Sequence, residues 1–166
     1  MITPARLFFA ACLAAAAAPG ASQPPAPAPT ANQAGVPDPI VISKLVWSSM
    51  AAVEQANQTG NYSVLRDLGA PSFQANNSTA TLGGIFQALR AAQIDLGYTL
   101  VVAPTYQFPP AIVQNGLLRV RGTFPLRPAP IAFDLLFQNI SGQWRIFGIA
   151  VAPIVAQPPQ SGSTRR

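Results

Sequence analysis

Apolar positions in the first half of the chain recur at three- and four-residue intervals. Ile42, Leu45, Val46, Ser49, Val53 and Ala56 fall on one side of a helical wheel. Asp38-Pro39 supplies the start, an acceptor for exposed amides followed by a residue preset for the first turn, and Gly60 supplies the stop. Asn61 caps a second, short helix carrying Val64, Leu65 and Leu68, which Gly69 and Pro71 terminate. A third helix opens at Ser78 or Thr79 and places Leu82, Ile85, Phe86 and Leu89 on its apolar side.

Beyond about residue 94 the spacing shortens to two, the period of a pleated strand. Tyr98, Leu100 and Val102 predict a strand limited by Pro104. Leu118, Val120, Gly122 and Phe124 alternate with Arg119, Arg121 and Thr123, the pattern of a half-buried strand. Pro125, Pro128 and Pro130 interrupt any ladder there. Ile131–Ile140 and Gln143–Ala152 then flank Ser141-Gly142, which reads as a two-residue hairpin turn with Ile140 opposite Gln143. Strict alternation from that turn puts Phe133, Leu135, Phe137, Trp144, Ile146, Gly148 and Ala150 on the face meeting the helices. Asp134, Leu136, Gln138, Arg145, Phe147, Ile149 and Val151 take the other face, which is too apolar to be fully solvated. The expected cover is a homodimer partner over Phe147, Ile149 and Val151, or else a loop or tail of the same chain. The predicted class is α+β, three N-terminal helices packed on a curved antiparallel sheet.

Composition changes the picture at the ends. The chain has 166 residues, with 49% hydrophobic, 9% charged and 18 prolines, against roughly 25% charged in an ordinary domain. Residues 1–21 combine Arg6, an apolar run from Leu7 to Ala18 and the small-residue exit Pro19-Gly20-Ala21, which predicts a signal peptide. The run is shorter than the ~20 residues of a bilayer span, so no stable membrane span is expected after cleavage. Cys12, the one cysteine, lies within this run, and neither Phe9-Ala10-Ala11 ahead of it nor the alanines after it fit a lipobox. Residues 22–37 read as a Pro/Ala-rich linker, 38–156 as a single domain and 157–166 as a disordered tail. The expected location is secreted or periplasmic in a bacterium. In that setting the Asn-x-Ser/Thr triplets at Asn57, Asn61, Asn76 and Asn139 read as loop and cap residues.

Candidate chemistry is sparse. With no histidine and a lone signal-segment cysteine, a zinc finger, a disulfide framework, a Cys–His nucleophile and a histidine triad are excluded, and neither metal nor cofactor is implied. Gly83-Gly84 lacks the strand and lysine of a phosphate loop. The acids are Asp38, Glu54, Asp67, Asp95 and Asp134. Asp38 is a cap, Glu54 lies off the apolar face of the first helix, and Asp67 follows Arg66. Asp95 and Asp134 come from strand regions, and either is a candidate general base if desolvated beside a donor such as Tyr98. On an extended strand Asp95 and Tyr98 point to opposite faces, which weakens the pair. Asp134 has a simpler role as cross-strand partner of Arg119, Arg121 or Arg145. Arg119, Arg121, Arg127 and Arg145 form either a solvated stripe or a surface for an acidic ligand or phospholipid headgroup. The secretory address and scarcity of lysine argue against nucleic acid. Tyr98, Phe133, Phe137 and Trp144 are the candidate lining of an apolar ligand pocket, with core packing as the alternative.

The order of elements, the Gly60-Asn61-Tyr62 step into a short helix and the closing Gln143-Trp144-Arg145-Ile146-Phe147-Gly148-Ile149 strand resemble the nuclear transport factor two-like superfamily. Its cystatin-like, cone-shaped fold also houses ketosteroid isomerases and polyketide cyclases. The resemblance spans Asp38 to Ala152, rests on order and periodicity, and includes no catalytic signature. It implies a conical space between helices and sheet, which enzymes of the superfamily equip with an Asp base or an Asp–His pair. The leading expectation is an exported, non-enzymatic domain binding a protein partner or a small apolar ligand. The alternative is a cofactor-independent isomerase or cyclase using Asp95 or Asp134.

Overall fold

The Asp38 carboxylate accepts from the Ile40 amide at 2.7 Å, and Pro39 opens helix α1, Pro39–Thr59. Gly60, at φ 72°, closes it by donating its amide to the Ala56 carbonyl. The apolar stripe turns inward as Ile42, Val46, Met50, Val53 and Ala56, and Ser49 satisfies its buried hydroxyl on the Leu45 carbonyl at 2.8 Å. These elements belong to a computed structural model that describes residues 35–154. The expected signal segment 1–21 with Cys12, most of the 22–37 linker and the 157–166 tail lie outside the described residues.

Helices precede a curved antiparallel sheet, as the change of period requires. The helical part divides more finely than expected. After α1 come α2 (Ser63–Asp67), α3 (Pro71–Asn76), α4 (Thr79–Ile85) and α5 (Gln87–Ala91). Pro71, read as a terminator, instead occupies the first turn of α3, where its missing amide costs nothing. Ser78 caps α4 by accepting from Thr81 N at 3.0 Å. The segment from Tyr98 to Val102 is not a strand. Leu96–Leu100 forms a 3-10 helix whose first turn is held by Asp95 accepting from Gly97 N at 2.7 Å. The local carboxylate–amide bond wins over the two-residue alternation.

The five strands are β1 (Thr105–Tyr106), β2 (Ala111–Val113), β3 (Leu117–Phe124), β4 (Ile131–Ile140) and β5 (Gln143–Pro153). β1 and β2 both pair with one edge of β3, and β3, β4 and β5 follow in order. Asn115-Gly116, both at positive φ, turns β2 back onto β3. The β4–β5 turn is as expected: Ile140 faces Gln143, and Ser141 and Gly142 have φ of 51° and 82°.

Strict alternation fails once, and the consequence is large. Phe137 pairs with Ile146, but Leu136 pairs with Gly148, so Phe147 is left over as a bulge. From there to the end of β5 the faces exchange. Ile149 and Val151 lie opposite Leu135 and Phe133 on the inner face, while Gly148 and Ala150 move outward. The expected dimer surface of Phe147, Ile149 and Val151 therefore does not exist as one face, because Val151 is buried and Ile149 packs on the core of its own chain. On the outer face left behind, Ala150 pairs with Asp134, Gly148 with Leu136, and Gln138 with Arg145.

The space between helices and inner face is filled. Phe86, Phe124, Phe137, Met50, Leu65 and Leu135 are fully buried there. Gly122 is required by this packing, since a Cβ would sit 2.6 Å from the Thr105 carbonyl oxygen and 2.7 Å from Phe133 Cζ. Replacing Gly122 by Ala should cost about 1–3 kcal/mol through overpacking, and Leu135→Ala about 2–5 kcal/mol through a cavity. Urea melts of the two variants check both. Equal midpoints for wild type and both variants would contradict this packing.

Candidate functional site

The acids show first what the molecule is not equipped to do. Each carboxylate has a task in local structure. Asp38 caps α1 and Asp95 caps the 3-10 helix. Glu54 reaches across from α1, with Oε2 accepting from Leu96 N at 2.8 Å and Oε1 from the Gln58 side chain. Asp67 is exposed beside Arg66 at 3.4 Å. Asp134 lies on the outer sheet face, where its two oxygens accept from Arg119 Nε at 3.0 Å and from an Arg119 terminal nitrogen at 2.5 Å. The Asp134 hydrogen bonds, and then its charge, raise the Arg119 pKa above its ordinary value. Among the described residues no three His, Cys, Asp or Glu side chains gather into a metal-binding group, and no helix is long and apolar enough to cross a membrane.

Asp95 and Tyr98 are not on a strand, so the argument from opposite faces lapses. They do not form a proton-transfer site either. Asp95 is exposed and spent on a backbone amide, and Tyr98 borders an open cleft of about 580 Å3 with Val102, Pro125, Leu126, Arg127 and Pro128. A general base needs desolvation and an oxyanion donor within reach, and neither Asp95 nor Asp134 lines that cleft.

The candidate ligand residues are likewise separated. Phe133 and Phe137 are 3% and 1% exposed, and Phe133 packs against Phe124 with ring centroids 5.3 Å apart. Trp144 is half-buried against the same core, whereas Tyr98 is outside it. Phe133 and Phe137 are core, as the simpler reading had it. Tyr62 is buried against Phe86, and its hydroxyl joins Asn57 and Arg90 in a polar cluster that locks α5 onto the end of α1.

The outer side of α1 carries a further surface. Pro39, Ile40, Lys44, Trp47, Ala51 and Leu100, with two serines, line an open groove of about 550 Å3. Ile40 is 79% exposed, Trp47 38% and Leu100 58%. Neighbouring Val101 is also exposed. One wall is the helix and the other is the 3-10 turn, which the Glu54–Leu96 bond holds against it. The signal was present in the sequence as a second stripe, Ile40, Lys44, Trp47 and Ala51, at three- and four-residue spacing.

Comparison with protein-family models, curated proteins and solved structures finds no match. The residues themselves therefore carry the functional reading.

Removing the Glu54 carboxylate should release the 3-10 wall. Glu54→Ala is expected to lose about 1.5–3 kcal/mol, the range for hydrogen bonds to a charged group, and to speed hydrogen exchange at the Leu96 amide. The Val120 amide, in the sheet, serves as the internal reference. Unchanged relative exchange would show that Glu54 does not hold this wall.

Proposed function

We propose that this chain is an exported, non-enzymatic binding domain built on the cone of the nuclear transport factor two-like superfamily. Its working surface is the groove between α1 and the 3-10 turn. Helices ahead of an antiparallel sheet support the family assignment, and the residue 1–21 pattern supports export. The observation that carries the function is the groove itself: exposed Ile40, Trp47 and Leu100 around a concavity with no carboxylate in its lining.

The occupant is an amphipathic segment of a partner protein with an acidic flank. Lys44, the only lysine of the chain, is the one charged residue lining the groove, so an acidic residue on the partner has a counterion there. Trp and large aliphatic side chains are the usual anchors of such a contact. A small apolar ligand is served less well, because ligand pockets enclose 70–90% of a ligand's surface, and this groove is open along its length.

Trp47 reports on its own surroundings once Trp144 is replaced by Phe. In that background, an amphipathic helical peptide of Leu and Glu should shift the Trp47 emission to the blue and saturate. Its charge-reversed Leu/Lys counterpart should bind several-fold more weakly. Ile40→Glu should weaken the Leu/Glu peptide by about tenfold or more, equivalent to about 1.4 kcal/mol. Absence of a saturable shift, or an equal response in the Ile40→Glu protein, would sink the reading.

A further inference from the structure

A different observation, on the opposite layer of the domain, concerns Arg121. Arg119 and Arg121 are two residues apart on β3 and so share the outer face of the sheet, where Asp134 of β4 faces Arg121 in register and contacts both. The three groups carry two positive charges and one negative. Arg119 takes both carboxylate oxygens in a fork-to-fork pair. Arg121 is left with a looser contact, its Nε 3.3 Å from Asp134 Oδ2, and that buried Nε makes no hydrogen bond. Among the described residues the terminal nitrogens of Arg121 also have no hydrogen-bond acceptor, in contrast to those of Arg119, Arg66, Arg90 and Arg145. Within this group of three, one unit of positive charge therefore stands uncompensated.

Arg121 and the Asp134-paired Arg119 form one side of a cleft of about 230 Å3. The opposite side is apolar: Phe108 and Pro109 from the β1–β2 connection, and Ala111 and Val113 from β2. The Arg121 guanidinium carbon lies over the Phe108 ring, 5.8 Å from its centroid. Gln107 N donates to the Arg121 carbonyl at 3.0 Å, so the connection is tied to the strand it overhangs. Pro109 and Pro110 then restrict the chain, and the cleft is formed before any ligand arrives. Phe108 is nonetheless exposed.

We infer that this cleft binds a small amphiphilic carboxylate, with its anionic end on Arg121 and its ring or short chain against Phe108 and Val113. The volume of about 230 Å3 suits a small ligand, lying below the roughly 300–1,000 Å3 of pockets for drug-sized molecules. Charge selects a monoanion, because one positive charge is free, and a dianion would bring its second charge toward Asp134. Planarity selects a carboxylate, whose two oxygens match the guanidinium fork.

Benzoate, with benzyl alcohol as its neutral counterpart, tests this on the full chain by titration calorimetry at low salt and by amide chemical-shift mapping. Benzoate should bind in the millimolar range expected of a fragment, with the largest shifts at Ala111, Val113 and Arg121. Benzyl alcohol should bind about tenfold more weakly or worse. Arg121→Gln should abolish the difference between the two, and Asp134→Asn should tighten benzoate by removing the competing anion. Phe108→Ala changes an exposed side chain, so it keeps the test valid should an Arg121 variant fold poorly, and it should weaken both ligands. Equal binding of benzoate and benzyl alcohol overturns the proposal. So does benzoate binding that ignores Phe108→Ala, or no binding at about 10 mM. Ile40→Glu should leave benzoate binding unchanged, which separates this cleft from the α1 groove.

Discussion

Ile149 and Val151 reach the interior because Phe147 has no partner on β4. Were the pairing regular, Gly148 and Ala150 would face the helices in place of Ile149 and Val151. Bulging one residue turns the last third of the strand over and lays branched side chains against Leu135 and Phe133. α1 can then bury Ile42, Val46, Met50 and Val53 on a continuous apolar sheet. A bulge also bends and twists its strand, which suits a sheet that must curve around helices. The helical layer, the closed interior and the small-residue outer face all depend on that one displaced position.

The filled interior limits what the protein can do. Catalysis by a carboxylate between helices and sheet requires a space that excludes water and a carboxylate desolvated within it. Here phenylalanines occupy the space, and the five acids are engaged elsewhere, in two caps, one tether, one surface contact and one arginine pair. With charged residues at only 9% of the chain, few are left over. Chemistry is displaced to the outside of the domain, where an unengaged group has a visible consequence. Trp47 and Ile40 on one layer and Arg121 on the other are such groups.

Much of this was legible in the chain. The Asp38-Pro39 start, the inward stripe of α1, the Gly60 stop, the Ser141-Gly142 turn and the role of Asp134 all follow from interactions between near neighbours or from a simple period. Two features were legible and passed over. Asn115-Gly116 is a stronger turn signal than Ser141-Gly142, and it makes the β2–β3 return. The adjacent large residues Ile146-Phe147, followed by Ile149 and Val151, break the alternation by one step, which is how a bulge is written in sequence.

The sequence by itself determined where helices begin and stop, the change to strands and the near absence of reactive side chains, because caps, turns and periodicity act over a few residues. Tertiary structure alone decided that the 3-10 turn capped by Asp95 would be held by Glu54, forty-two positions from Leu96, and that Phe133 and Phe137 would be packed into the core. It also decided that Arg119 would take the hydrogen bonds of Asp134 and leave Arg121 with a looser ion pair. These outcomes are competitions for the same partner or the same space between distant segments, and only packing in three dimensions settles which contender is closer.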